Sequence, residues 1–222
     1  MHPLKVLTLS AVILFAIGPM SAFAADNSGT LEQKGDQNQG ATVQMGLQNL
    51  HTTYQRGNDN KALNYQEGNR HSGALMQKGN ANSVQGKQKG YENQLVADQQ
   101  GKEQQIDNLQ EGNNHYLEVD QSGHGHQVTS QQHTHSNRTE LDQQGHDNRI
   151  TLNQLASGNQ LIMQQNGHLH EADIQQVGAD NLMLIQQLGN SHTIMVEQAG
   201  AQDASWIHQN GNNHRAEVSQ GQ

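Results

Sequence analysis

QLGNSHTIMVEQAG, Gln187 to Gly200, opens and closes on the phrase Gln-x-Gly, eleven residues apart. Stepping by eleven through the chain meets Gln33, Gln44, Gln55, Gln66, Gln77, Gln88, Gln99, Gln110, Gln121, Gln132, Gln143, Gln154, Gln165, Gln176, Gln187, Gln198, Gln209 and Gln220, eighteen glutamines with no insertion or deletion. Glutamine is common here, but composition does not keep an unbroken register of that length. Fixed-period self-similarity marks a repeat architecture and outranks local propensity.

With each of these glutamines as position zero, position 2 is Gly in fifteen of eighteen units, the exceptions being Thr134, Ala156 and Gln222. Position 5 is Asn in nine units: Asn38, Asn49, Asn60, Asn82, Asn93, Asn137, Asn148, Asn159 and Asn181. It is His in six, His71, His115, His126, His170, His192 and His214, with Gln104 and Asp203 completing the row. Positions 7 and 9 are mostly apolar, as in Leu95 and Ala97 or Ile194 and Val196. Positions 6, 8 and 10 are mainly polar, as in Arg138, Glu140 and Asp142.

Positions 5, 7, 9 and 11 are odd, so in a β-strand they share one face. Each unit therefore predicts one strand from about position 5 to position 11. Because eleven is odd, each unit also needs one break in the alternation. Gly with Asn, Asp, Ser and His at positions 1 to 4 predicts a tight turn there. A helix is excluded by a glycine every eleven residues and a two-residue apolar period. The expected fold is all-β, a β-solenoid with two strands and 22 residues per coil. Coils rising by ~4.8 Å give a stack roughly 40 Å tall. The Gln, Asn/His and apolar columns lie inside, where stacked amides hydrogen-bond along the pile as in cross-β assemblies.

The organisation follows from that register. Residues 1–24 read as a secretory signal peptide: Lys5, an apolar run from Val6 to Ile17, and the small-x-small signal Ala22-Phe23-Ala24. Residues 25–32 are a short N-terminal segment, and 33–222 form the repeat domain. Lys5 is the only charged residue of the leader, so its removal takes the net charge from −9 to −10 with His neutral. An acidic chain argues against nucleic acid and anionic membranes as partners. Cysteine is absent, so no disulfide is expected, and both prolines, Pro3 and Pro19, fall in the leader.

A coil of this kind cannot stand alone, because most of its backbone and amide partners lie in the coils above and below. Solenoids normally blunt their ends with atypical repeats. Here only Ala25 to Glu32 precede the first Gln, and Gln220-Gly221-Gln222 stays in register. Open strand edges are expected at both ends, and with them end-to-end self-assembly into a cross-β fibre.

The phrase Gln-x-Gly-x-x-Asn-x-Ala-x-x-x-Gln, carried without mismatch by Gln55, Gly57, Asn60, Ala62 and Gln66, resembles the curlin repeat of curli, the functional amyloid of bacterial biofilm. The resemblance covers residues 33 to 222. It implies a secreted structural subunit of a Gram-negative bacterium, passed through an outer-membrane curli secretion channel with accessory factors. At the cell surface such a subunit polymerises with itself and other curlin subunits into fibres for adhesion and biofilm cohesion. Glycine in nearly every unit resembles the minor, nucleating subunit more than the major one. The clean C-terminal repeat does not match the irregular basic repeat that the minor type tends to carry. The eight-residue segment before the repeats is shorter than the family's major subunit has.

Other functions fit less well. Thirteen histidines outside the leader include the pairs His124/His126, His133/His135 and His168/His170. Residues two apart on a strand share a face, so such pairs could chelate, but a hydrogen-bonding role in the Asn row is simpler. No metal ligand, cofactor or catalytic residue is assigned. Titration of those histidines near ~6.5 predicts a pH response of assembly. Catalytic β-helices shape a cleft with long loops, and eighteen periods here contain no insertion. Glu140 and Asp142 read as solvated gatekeepers. The alternative to a fibre subunit is a monomeric extracellular solenoid that binds a metal or surface ligand. An ice-binding solenoid needs a flat Thr ladder, whereas Thr52, Thr129, Thr151 and Thr193 are scattered. From Leu141 onward every position 9 is apolar, while Thr42, Thr53, Asn64, Gly86, Asn108 and Ser130 stand there earlier, so the C-terminal half is expected to nucleate.

Overall fold

The computed structural model describes residues 10–16 and 26–221. The cleavage signal Ala22-Phe23-Ala24 and the terminal Gln222 lie outside the described residues. In chain order the strands are β1 (Ser10–Ala16), β2 (Ser28–Lys34), β3 (Gln39–Leu47), β4 (Leu50–Asn58), β5 (Lys61–Asn69), β6 (Ser72–Asn80) and β7 (Ser83–Tyr91). There follow β8 (Gln94–Lys102), β9 (Gln105–Asn113), β10 (Tyr116–His124), β11 (Gln127–His135), β12 (Arg138–His146) and β13 (Arg149–Gln154). The last are β14 (Gln160–His168), β15 (Glu171–Gln176), β16 (Leu182–Asn190), β17 (Thr193–Gln198), β18 (Ala204–Asn212) and β19 (Arg215–Gln220).

Alternate strands go to alternate sheets. Even-numbered strands form a nine-stranded parallel sheet from β2 to β18, and odd-numbered ones a ten-stranded parallel sheet from β1 to β19. From β2 onward each strand pairs with the one 22 residues away, so Gln121 lies on Gln143 and Gly123 on Gly145. Nine coils of two strands result, as the eleven-residue register requires. Unexpected from the repeat alone is β1, which runs parallel beside β3 with Ser10 on Gln39 and Ala16 on Met45. One edge of the N-terminal coil is therefore occupied by the apolar segment Ser10–Ala16.

The strands are longer than the sequence predicts. Most run nine residues, from position 6 through the Gln and its following Gly to position 3. Chain reversal is compressed into positions 4 and 5. Glycine at position 2 bends the strand and lets the stacked backbones close up. At Gly57, φ is +124° and an added Cβ would lie 1.9 Å from the Gly79 carbonyl oxygen. No L side chain fits that column without displacing backbone.

The second corner residue, at position 4, is left-handed and seldom glycine. Asp59, Arg70, Ala81, Asn114 and Leu169 all have φ between 56° and 59°. Their N–H groups donate to the coil below, Asp59 to Asp36 at 3.0 Å and Arg70 to Leu47 at 2.9 Å, which holds the backbone there. Strands β13, β15 and β17 stop earlier, at their Gln. At position 2 after these strands, Ala156, Gly178 and Gly200 lack the positive φ that Gly57 shows.

Inside, the odd positions are buried, as period-two patterning demands. In the even-strand sheet position 9 is filled by Thr53 and then by Leu75, Ala97, Val119, Leu141, Met163, Ile185 and Ile207, all buried. In the odd-strand sheet the same position changes character half-way. Thr42, Asn64, Asn108 and Ser130 are buried in the N-terminal half, Leu152, Ile174 and Val196 in the C-terminal half. Neither the nitrogen nor the oxygen of the Asn64 and Asn108 amides finds a hydrogen-bond partner.

Candidate functional site

The even and odd strands each carry one column of buried glutamines. Each column runs as an unbroken chain in which the amide Nε2 of one residue donates to Oε1 of the glutamine 22 residues on. From Gln33 to Gln209 these distances are 2.6–3.0 Å. From Gln44 to Gln220 they are 2.7–3.0 Å. The second amide hydrogen ties the two sheets together, Gln55 donating to Gln39 O at 2.9 Å and Gln110 to Gln94 O at 2.8 Å. A glutamine at this point spends both donors and one acceptor, which no apolar residue of the same volume could do.

These chains have direction. Every donor points toward the C-terminal coil and every acceptor toward the N-terminal one. At the N-terminal end Gln33 Oε1 and Gln44 Oε1 are buried without a partner. At the C-terminal end Gln209 Nε2 reaches only Thr193 O at 3.5 Å, and Gln220 Nε2 only Ala204 O at 3.4 Å. Strands β18 and β2 close one sheet, and β19 ends the other.

The Asn/His row is organised differently from a side-chain ladder. Asn60 does donate to Asn38 Oδ1 at 3.0 Å. Mostly, though, the side-chain oxygen accepts the backbone N–H of the residue above, as from His71 to Asn49 at 2.9 Å. The amide nitrogen donates to a glycine carbonyl of the next coil, Asn38 to Gly57 at 2.7 Å. This row thus clamps the corner that the left-handed residue creates.

Histidine performs the same task with a ring. The Asn93 N–H donates to His71 Nδ1 at 3.3 Å, while His71 Nε2 lies 3.0 Å from Glu67 O. The pattern recurs at His115, His126, His170 and His192. Because the carbonyl can only accept, Nε2 carries the hydrogen and Nδ1 is bare, so the partners require the neutral ring. Burial holds His71, His126 and His170 below the ordinary imidazole range, and lowers His115 to about 4. His51, inside the core at position 7, is likewise lowered to about 4 by burial. Its Nε2 lies 2.7 Å from Thr53 Oγ1, while Nδ1 has no partner.

The expectation that histidines two apart share a face fails for two of the three pairs. His124 and His168 sit outside the corner while His126 and His170 are buried, because Gly125 and Leu169 between them are left-handed and break the alternation. The outer rings stack instead along the axis, His146 over His168 with centroids 4.8 Å apart. Among the described residues no group of three or more His, Cys, Asp or Glu side chains is placed to hold a metal ion.

Two parallel sheets closed on internal glutamine and asparagine/histidine columns define a repeat β-solenoid of the kind whose coils hold one another in place. The curlin-associated repeat family profile matches residues 170–200 and 189–221. The match covers the last part of the chain, and the same 22-residue coil continues through the strands before it. No curated protein matches it.

Proposed function

We propose that this curlin-repeat chain is a secreted structural subunit that polymerises end to end into curli-type extracellular fibres, for adhesion and matrix cohesion. The observation that carries the reading is the direction of the two glutamine chains, which leave buried acceptors at one end and unspent donors at the other. Continuing the 22-residue register from one copy into the next sets Gln209 on Gln33 and Gln220 on Gln44. It also sets Ile207 on Leu31 and Gly211 on Gly35. Each junction then repeats the contacts within a subunit, and growth is head to tail. The β3 edge must be free for this, so removal of residues 1–24, which takes β1 away, makes the subunit competent.

The test is fibre formation by the chain from Ala25 onward. Cross-β diffraction with a ~4.7 Å meridional spacing is expected. A sample that stays monomeric at high concentration overturns the reading. Glycine at position 2 in fifteen of eighteen units favours the minor, nucleating role within such a fibre. Trace addition to a bulk curlin tests it: nucleation shortens the lag, while simple co-assembly leaves the lag unchanged.

A further inference from the structure

The outer face of the even-strand sheet is zoned along the axis. Each strand shows four outward residues, two apart, so neighbouring strands stack them in columns. In the first three coils Lys34, Arg56 and Lys78 form one column. Against them that zone has only the carboxylate of Glu32. In the middle three, Asp98, Asp120 and Asp142 are in register, with Glu118 on Glu140 beside them, against two cations, Arg138 and, at the corner end of β8, Lys102. In the last three the outward side chains of β14, β16 and β18 carry no Asp, Glu, Lys or Arg. Instead Ile162, Leu184 and Trp206 stack in one column, and Trp206 is 81% exposed.

Little within the chain answers these charges. Among the described residues, Arg138 pairs with Glu140, while Lys34, Arg56, Lys78, Asp98, Glu118, Asp120 and Asp142 make no ion pair. Like charges stacked one coil apart repel, and crowding by Glu118, Asp98 and Asp142 adds to burial in raising the Asp120 carboxyl above its usual range.

We infer that this face is a lateral docking surface for a second copy of the chain, and that two fibres pack through it antiparallel. The inference rests on the end-to-end polymer proposed above. A two-fold axis parallel to the strands, placed between the third and fourth coils, sets coils one to three on coils six to four of the partner. The basic column of one copy then lies two residues along the strand from the Asp column of the other, within reach of long Lys and Arg side chains, with Glu32 over Asp142 as the like-charged contact. Because the fibre repeats every nine coils, the same operation sets the last three coils of one subunit on the last three of a neighbour, Trp206 over Ile162 and Leu184 over Leu184. In-phase parallel packing would instead set acid on acid, and a parallel shift of three coils would set acid on the apolar zone. Only the antiparallel arrangement satisfies all three zones, and repetition along the fibre turns a small patch into a continuous seam.

Electron microscopy of fibres from the chain lacking residues 1–24 tests this, with the ~4.7 Å reflection as the control for polymerisation. Paired fibres are expected. Combining Asp98→Lys, Asp120→Lys and Asp142→Lys should cut the paired fraction at least ~5-fold and leave the reflection intact, since all three side chains point outward. Adding Lys34→Glu, Arg56→Glu and Lys78→Glu should restore pairing, and Trp206→Lys alone should again separate the fibres. Single fibres from the parent chain, or pairs that survive the triple reversal, overturn the inference while leaving the polymer standing. Absence of the reflection in the parent sinks the polymer and the pairing with it.

Discussion

A buried histidine that must stay neutral is an acid-sensitive part wherever it occurs, and His115 shows the sign. Its imidazole is near ~6.5 in an unfolded chain and about 4 when folded. Between those values the unfolded chain binds more protons, so stability is full above ~6.5 and falls as pH drops toward 4. His115→Asn keeps the acceptor that the Asn137 N–H uses and removes the titration. The variant should match the parent in chemical denaturation at pH 7.5 and lose less between pH 6.5 and 4; parallel curves would contradict it. A slower assembly in acid follows from the same sign, read as a longer thioflavin lag at pH 5 than at pH 8. Asn108 errs in the other direction, since its amide is buried with neither end bonded. Asn108→Val should stabilise the subunit by about 1–3 kcal/mol, the cost of an orphaned polar group, seen as a higher denaturant midpoint with unchanged slope.

Corners, not strands, are the element where the sequence was hardest to read. Alternation and the Gln-x-Gly step made the strands and the 22-residue coil legible, because burial enforces a period of two and stacking forbids a slip. The left-handed residue at position 4 was not legible. Its φ is held by a backbone bond to the preceding coil, so the side chain there is unconstrained, and Arg70, Ala81 and Leu169 carry no signal of their own. For the same reason the Asn/His row read as a ladder of like side chains, when its partners are mainly main-chain groups that a sequence does not display. Two substitutions separate the corner positions. Gly101→Ala places a Cβ 1.9 Å from the Gly123 carbonyl oxygen at φ +139° and should cost roughly 3 kcal/mol or more. Leu169→Gly relieves about 1 kcal/mol of left-handed strain, offset in part by unfolded-state entropy. Leu169 is also 60% exposed, so the thermal midpoint should stay level or rise slightly.

Along the whole molecule the two halves differ in what they bury, and that difference should decide where assembly begins. The glutamine chains run evenly from end to end, so they set register without favouring either half. The core does favour one. Position 9 of the odd strands passes from Thr42, Asn64, Gly86, Asn108 and Ser130 to Leu152, Ile174, Val196 and Val218, while the even strands have Thr53 there once, in β4, and apolar residues from Leu75 to Ile207. Nucleation orders several residues before stacking returns any contact, so it starts where each ordered residue buries most apolar area. A peptide spanning Gln143–Gln187 should fibrillise with a shorter lag than one spanning Gln33–Gln77, both carrying five rungs of the same glutamine register. Equal lags would assign nucleation to the amide columns alone. A soluble C-terminal peptide beside a fibrillising N-terminal one would reverse the argument, making the buried polar column, for all its unpaired amides, the faster template.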